Sequence, residues 1–156
     1  MDDIWFTMLI GIPGSGKSTW LATHLQYDYV VCPDSIRQYL TGDVSDQEQN
    51  NTIWKLAQYT THWALINDIS VALDATNTNT TWRRNFLHCL PKANIKRKAL
   101  IFQINPDIAV ERVKSRTIGS KVPDDVIYRM HGDLLYTLKS IKEENWDSIE
   151  TIDYSK

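Results

Sequence analysis

Two cysteines, Cys32 and Cys89, are all that 156 residues contain, too few for a disulfide framework and without the spacing of a zinc site. Both read as small buried apolar side chains, and such sparing use of cysteine fits a reducing, cytoplasmic setting. No charge of one sign dominates. Seventeen basic and 19 acidic residues leave a formal net charge of −2, which argues against a protein that coats nucleic acid nonspecifically but leaves room for a short local groove. No apolar run approaches the ~20 residues of a membrane span. The N-terminus is acidic and followed by only a short apolar run, unlike a signal peptide. Repeats, low-complexity segments and linkers are missing too, and the length and 42% hydrophobic content fit a single domain over residues 1–156 with a sizeable core. The histidines His24, His62, His88 and His131 show no metal-ligand spacing. Glycine is scarce: of six in the chain, three fall within one short stretch.

That stretch, GIPGSGKST over residues 11–19, closes an apolar run over residues 5–12 and matches G-x-x-x-x-G-K-[ST] at Gly11, Gly16, Lys17 and Ser18. Gly11, Gly14 and Gly16 can adopt backbone conformations that a Cβ resists, so the loop can wrap a phosphate. Its N–H groups and those opening the next helix then point at the anion. Lys17 adds a mobile positive charge for the β- and γ-phosphates, and the Ser18 hydroxyl can ligate Mg²⁺. A nucleoside triphosphate with Mg²⁺ is the expected ligand. Pro13, Ser15 and Thr19 complete the segment assigned to it.

Short apolar strands alternate with helical patterns along the rest of the chain, the signature of an α/β protein with a parallel sheet. Strands are predicted over residues 5–12, 29–32, 69–74, 98–104 and 149–152. Helices are predicted over 18–25, 35–40, 81–90, 105–116 and 123–143. A long helix is expected from Ser45, where Ser-Asp-Gln-Glu48 forms a capping box, to about residue 67. The architecture is a P-loop kinase fold: a central parallel sheet of about five strands flanked by helices, with a helical lid. Ligands of such sheets sit beyond the carboxyl ends of the strands.

Asp34 follows the second strand, and Arg37 shares its face one turn on. Asp34 can serve as a base for an attacking hydroxyl or as the N-cap of the short helix, and the spacing favours neither. Asp74 closes the third strand, either as a metal-region carboxylate acting on Mg²⁺ through water or Ser18, or as a strand-end cap before the turn formers Asn77 and Asn79. Arg112 and Arg116 lie four apart on one helix face before a Gly119 loop. They can close over a triphosphate, although ordinary surface arginines are the commoner outcome. The basic clusters at Arg83-Arg84, 92–98 and 112–121 read first as solvated faces. Six tryptophans are many for this size; Trp54, Trp63 and Trp82 can stack bases but more often serve as core packing.

These motifs, in this order, resemble the kinase domain of phage polynucleotide 5′-kinases. The likeness rests on GIPGSGKSTW, on Asp34-x-x-Arg37, on Leu73-Asp-Ala-Thr-Asn77 followed by Arg83-Arg84, and on Glu111-Arg-Val-Lys-Ser-Arg116 followed by Val122-Pro123. It implies transfer of the ATP γ-phosphate to the 5′-hydroxyl of single-stranded or end-frayed DNA or RNA, and a phage or bacterial origin. By the same resemblance Lys17 and Ser18 bind phosphate and metal, and Asp34 is the general base. Arg37 holds the acceptor's phosphate, Arg116 is the lid arginine with Arg112 its helper, and Asp74 supports the metal region. The chain departs from the pattern in Cys32-Pro33 before Asp34 and in one extra residue after Arg116. It contains no D-x-D-x-T phosphatase motif, so the phosphatase fused to some relatives is expected to be absent. A kinase of a small acceptor (nucleoside, metabolite or antibiotic) uses the same elements and remains the alternative.

Overall fold

A computed structural model describes residues 2–24 and 29–155. Five strands form one all-parallel sheet in the order β2-β3-β1-β4-β5, from β1 (Ile4–Ile10), β2 (Tyr29–Val31), β3 (Val71–Leu73), β4 (Ile95–Gln103) and β5 (Ser148–Asp153). The connections carry α1 (Lys17–Thr23), α2 (Pro33–Thr41), α3 (Asn50–Ile66), α4 (Thr80–His88), α5 (Pro106–Lys114) and α6 (Asp124–Ser140). Alternation along β1 divides the core into two layers. Phe6, Met8 and Ile10 enter the larger cluster with Ala57 and Ala64 of α3, Phe86 of α4 and Leu134 of α6. Leu9 enters the smaller one with Leu21 of α1, Leu100 and Phe102. The predicted first helix ran to Leu25, which lies outside the described residues.

The long helix begins at Asn50 rather than at a Ser45 capping box. Side chains explain the shift: Asp43 Oδ1 accepts the Ser45 N–H and Asp46 Oδ1 accepts the Glu48 N–H, both at 2.8 Å. These local turns divert the backbone donors that a helix over residues 45–49 would use. Asp34 is not the N-cap of α2; that position is Cys32, and Asp34 stands in the first turn after Pro33. Cys89 is exposed and Cys32 half-buried, so neither is the buried apolar thiol that composition suggested. The strand β4 starts three residues early, within a basic run, because sheet pairing there absorbs the charge. Lys98 reaches Glu150 at 2.9 Å and lies over the Trp5 ring, 5.3 Å from its centroid.

Arg83 reverses the expectation of a solvated basic pair. It is fully buried, and its guanidinium meets Glu144 at 2.6 Å. It also donates to the carbonyls of Asn77 and Thr78, each at 2.9 Å, and to Thr137 Oγ1 at 3.0 Å. One side chain thereby ties the loop after β3 to α6 and the turn that follows it. Removing one partner of such a pair strands an uncompensated buried charge. Glu144→Gln is expected to lower the unfolding free energy by about 3–5 kcal/mol, measured by urea denaturation; a loss below about 1 kcal/mol would contradict this account of the pair.

Candidate active site

The phosphate-loop sequence occupies the turn from β1 into α1, at the carboxyl edge of the sheet. Gly14 and Gly16 have φ of +80° and +90°, the left-handed region that side chains disfavour. A Cβ on Gly14 would also lie 2.6 Å from the Ala109 carbonyl oxygen. Gly11 differs, since its backbone is not left-handed; a Cβ there would lie 2.8 Å from Ser15 Oγ and 3.0 Å from Phe102 Cβ. Its glycine is a packing requirement. Pro13 and Ser15 are buried beneath the loop, whereas Ser18 and Thr19 are exposed.

Lys17 is not the mobile cation the motif suggests. It is buried, and its Nζ donates to the carbonyls of Gly11 and Ile12 at 2.9 and 3.0 Å and to Ser15 Oγ at 3.3 Å. Burial pushes its pKa down from 10.5 to about 8; the carboxylates of Asp74 and Asp34 pull it up, and the Arg116 guanidinium pushes it further down. Three of the side chains singled out in sequence thus act electrostatically on one ammonium, although they follow three different strands.

Ser18 Oγ donates to Asp74 Oδ2 at 2.7 Å, while the Asp74 N–H bonds the Val31 carbonyl at 2.9 Å, fixing the ends of β2 and β3 side by side. Mg²⁺ takes one or two protein oxygens and completes its shell with phosphate and water. The adjacent hydroxyl and carboxylate fit that demand. Among the described residues no cluster of three His, Cys, Asp or Glu side chains could hold a metal alone.

Asp34 is largely exposed, and its Oδ1 accepts from Arg37 Nη1 at 2.5 Å. Arg37 itself is buried. Its Nη2 donates to Asn50 Oδ1 at 2.9 Å, and its Nε is buried with no partner. The guanidinium thereby orients Asp34 against the start of α3 with two of its N–H groups, out of about five on such a side chain.

Arg112 and Arg116 do not share a helix face, because α5 ends at Lys114. Both nevertheless line one cleft of about 560 Å³ together with Gly14, Gly16 and Thr19. Arg112 Nη1 donates to the Gly14 carbonyl and Arg116 Nη1 to that of Ser120, each at 3.3 Å. Sequence reasoning missed four residues of this cleft, Trp20, Thr23, His24 and Tyr154. The rings of Trp20 and His24 stack at 3.8 Å. Their spacing of four on a helix was a usable signal, and Tyr154 directly follows the last strand.

Residues 6–135 match the family model of the AAA domain, a P-loop nucleoside-triphosphatase class. The chain belongs to this family. Its kinase-like P-loop fold is shared with solved structures. A chain in a structure of the Pnkp1/Rnl/Hen1 RNA repair complex superimposes with a TM-score of 0.77 at 21% identity, covering 90% of this chain and 47% of that one. A second Pnkp1/Rnl/Hen1 complex gives 0.62 at 22% identity, covering 77% and 41%. A candidate kinase from Chloroflexus aurantiacus gives 0.62 at 15% identity, covering 99% and 90%. The chain spans less than half the length of the first two. No curated protein matches the sequence. Among the described residues no helix is long and apolar enough to cross a membrane.

The loop's affinity for triphosphate is expected to depend on pH through Lys17. Below about 8 the ammonium is charged and attracts the anion. Above it the neutral amine must first take up a proton, so affinity falls about tenfold per pH unit until the bound-state pKa is passed. Calorimetric titration with ATP in buffers of different ionisation enthalpy should register this proton uptake above pH 8. Affinity unchanged between pH 7 and 9.5 would rule it out.

Proposed function

We propose that this chain is an ATP-dependent polynucleotide 5′-hydroxyl kinase, with residues 1–156 working as one kinase domain. The observation that carries the reading is the meeting at one sheet edge of the phosphate loop, Asp74 bonded to Ser18, and Asp34 held by Arg37. Such a centre has a donor side and an acceptor side. The loop N–H groups and Lys17 hold the β- and γ-phosphates, and the cleft beside Trp20, His24, Arg112 and Tyr154 takes the nucleoside. Ser18 and Asp74 would hold Mg²⁺, Ser18 directly and Asp74 through water; when bound it neutralises phosphate charge.

On the acceptor side, the exposed carboxylate of Asp34 accepts the proton of the 5′-hydroxyl as its oxygen attacks the γ-phosphorus. The bond from that phosphorus to the bridging oxygen breaks, and ADP leaves. Arg37 keeps Asp34 in place and has N–H donors left over for the acceptor's phosphate. Arg116 lies over the transferring group, where its charge offsets the negative charge that spreads over the phosphoryl oxygens. The order of motifs along the chain and the fold shared with a chain of an RNA repair complex support a nucleic-acid acceptor. The net charge of −2 favours the second reading, a small acceptor such as a nucleoside or 3′-nucleotide.

Labelled ATP offered with 5′-hydroxyl oligonucleotides, nucleosides and 3′-nucleotides separates the two. Transfer to oligonucleotide ends is expected, and label on small acceptors alone would replace this reading with the second. Asp34→Asn should lower kcat by about 10²–10⁴-fold with ATP affinity nearly unchanged. Arg37→Ala should lower kcat more than it raises the KM for ATP.

A further inference from the structure

A second cleft, of about 440 Å³, shares no lining residue with the first. Its walls come from α3, α4, α6 and the loop after β3, and include Trp54, Thr76, Asn79, Trp82, Arg129 and Asp133. The Thr76 carbonyl accepts the Gly11 N–H at 2.9 Å, so this wall is bonded to the phosphate loop itself. Two residues earlier, Asp74 meets Ser18. The cleft therefore borders the first residue of the phosphate loop.

The arrangement inside is that of a receptor for a flat, polar-edged group. The rings of Trp54 and Trp82 stand nearly perpendicular, at 80° with centroids 4.9 Å apart. Trp54 is anchored on its inner side by Phe86, edge to face at 6.2 Å. Trp82 is 37% exposed. A perpendicular pair of this kind makes a corner in which a planar ring can lie on one indole and abut the other. Trp63, the third candidate named from sequence, is half-exposed elsewhere on α3 and does not line the cleft.

Charge completes the match. Arg129 and Asp133, one turn apart on α6, line the same cleft, and neither side chain makes an ion pair or hydrogen bond among the described residues. Asn77, also in the wall, is 3% exposed and carries a buried Oδ1 with no partner. Unpaired cation, unpaired anion and aromatic corner together suit a nucleobase with its neighbouring phosphodiester: stacking for the ring, Arg129 for the phosphate, Asp133 for a ring or exocyclic N–H.

We propose that this cleft is the base-stacking subsite for the acceptor strand, with a nucleobase near the 5′ end lying on Trp82 in the corner made with Trp54. The proposal rests on the kinase reading above, and it makes acceptor strength depend on the base as well as on the hydroxyl.

Two measurements test it separately from that reading. Binding without turnover is followed by the anisotropy of a labelled 5′-hydroxyl oligonucleotide and of the same strand with abasic sites in its first three positions. The wild-type protein should bind the base-bearing strand about tenfold more tightly, and Trp82→Ala should bind both alike. Steady-state kinetics should show the same change in the oligonucleotide KM, with ATP affinity unchanged and Trp82→Phe close to wild type. If Trp82→Ala melts early, Arg129→Ala carries the test, weakening the binding of both strands and flattening its salt dependence by about one ion. Equal wild-type binding of the two strands would overturn the subsite even if the enzyme phosphorylates 5′ ends. Base-dependent binding lost in Trp82→Ala would support it even if no 5′-hydroxyl were phosphorylated, in which case the kinase reading alone would fall.

Discussion

The buried ammonium of Lys17 is the constraint around which the rest of the carboxyl edge is arranged. A lysine enclosed by two carbonyls and a hydroxyl needs oxygen partners, because an unpaired buried charge is far costlier than a solvated one. The phosphate loop supplies the near partners, and its tight turn depends on left-handed glycine at Gly14 and Gly16. The strand ends supply the farther ones, Asp74 and Asp34, while Arg116 opposes them. The depressed pKa follows from burial, which these partners offset only in part, so an incoming polyanion is strongly favoured.

A second buried cation, Arg83, does comparable work for the loop after β3. Its guanidinium fixes the carbonyls of Asn77 and Thr78 and is itself neutralised by Glu144. Asn77 has a φ of +48° and braces the Leu9 carbonyl at 2.8 Å. The segment that carries Asp74, Thr76 and the second cleft is thereby rigid on both sides. This rigidity holds the Ser18–Asp74 contact in register with the phosphate loop, and it links the stability of α6 to the geometry of the site.

Much of this was legible in the sequence because local chemistry encoded it. The alternation of apolar runs with helical periodicity gave the parallel α/β architecture, and the glycine-lysine spacing located the loop. The strand-end rule pointed at Asp34 and Asp74, and both stand on the edge it named. What escaped has a common cause, dependence on partners distant in the chain. Arg83 read as surface because Glu144 lies 61 residues away. The bond from Arg37 to Asn50 escaped because nothing local announces it. The boundary at Asn50 was missed because side-chain turns at Asp43 and Asp46 competed with an equally local capping pattern. The aromatic corner needs α3 and α4 to meet, so the tryptophans could be counted but not placed.

The central claim is that the donor loop and Asp34 face each other across one phosphoryl group. The most direct measurement is a crystal structure with a non-hydrolysable ATP analogue, Mg²⁺ and a short 5′-hydroxyl oligonucleotide. The account predicts the terminal 5′-oxygen at about 2.6–3.2 Å from an Asp34 carboxylate oxygen and in line with the γ-phosphorus. A 5′-hydroxyl bound away from Asp34, with the γ-phosphate facing water or another acceptor, would contradict it.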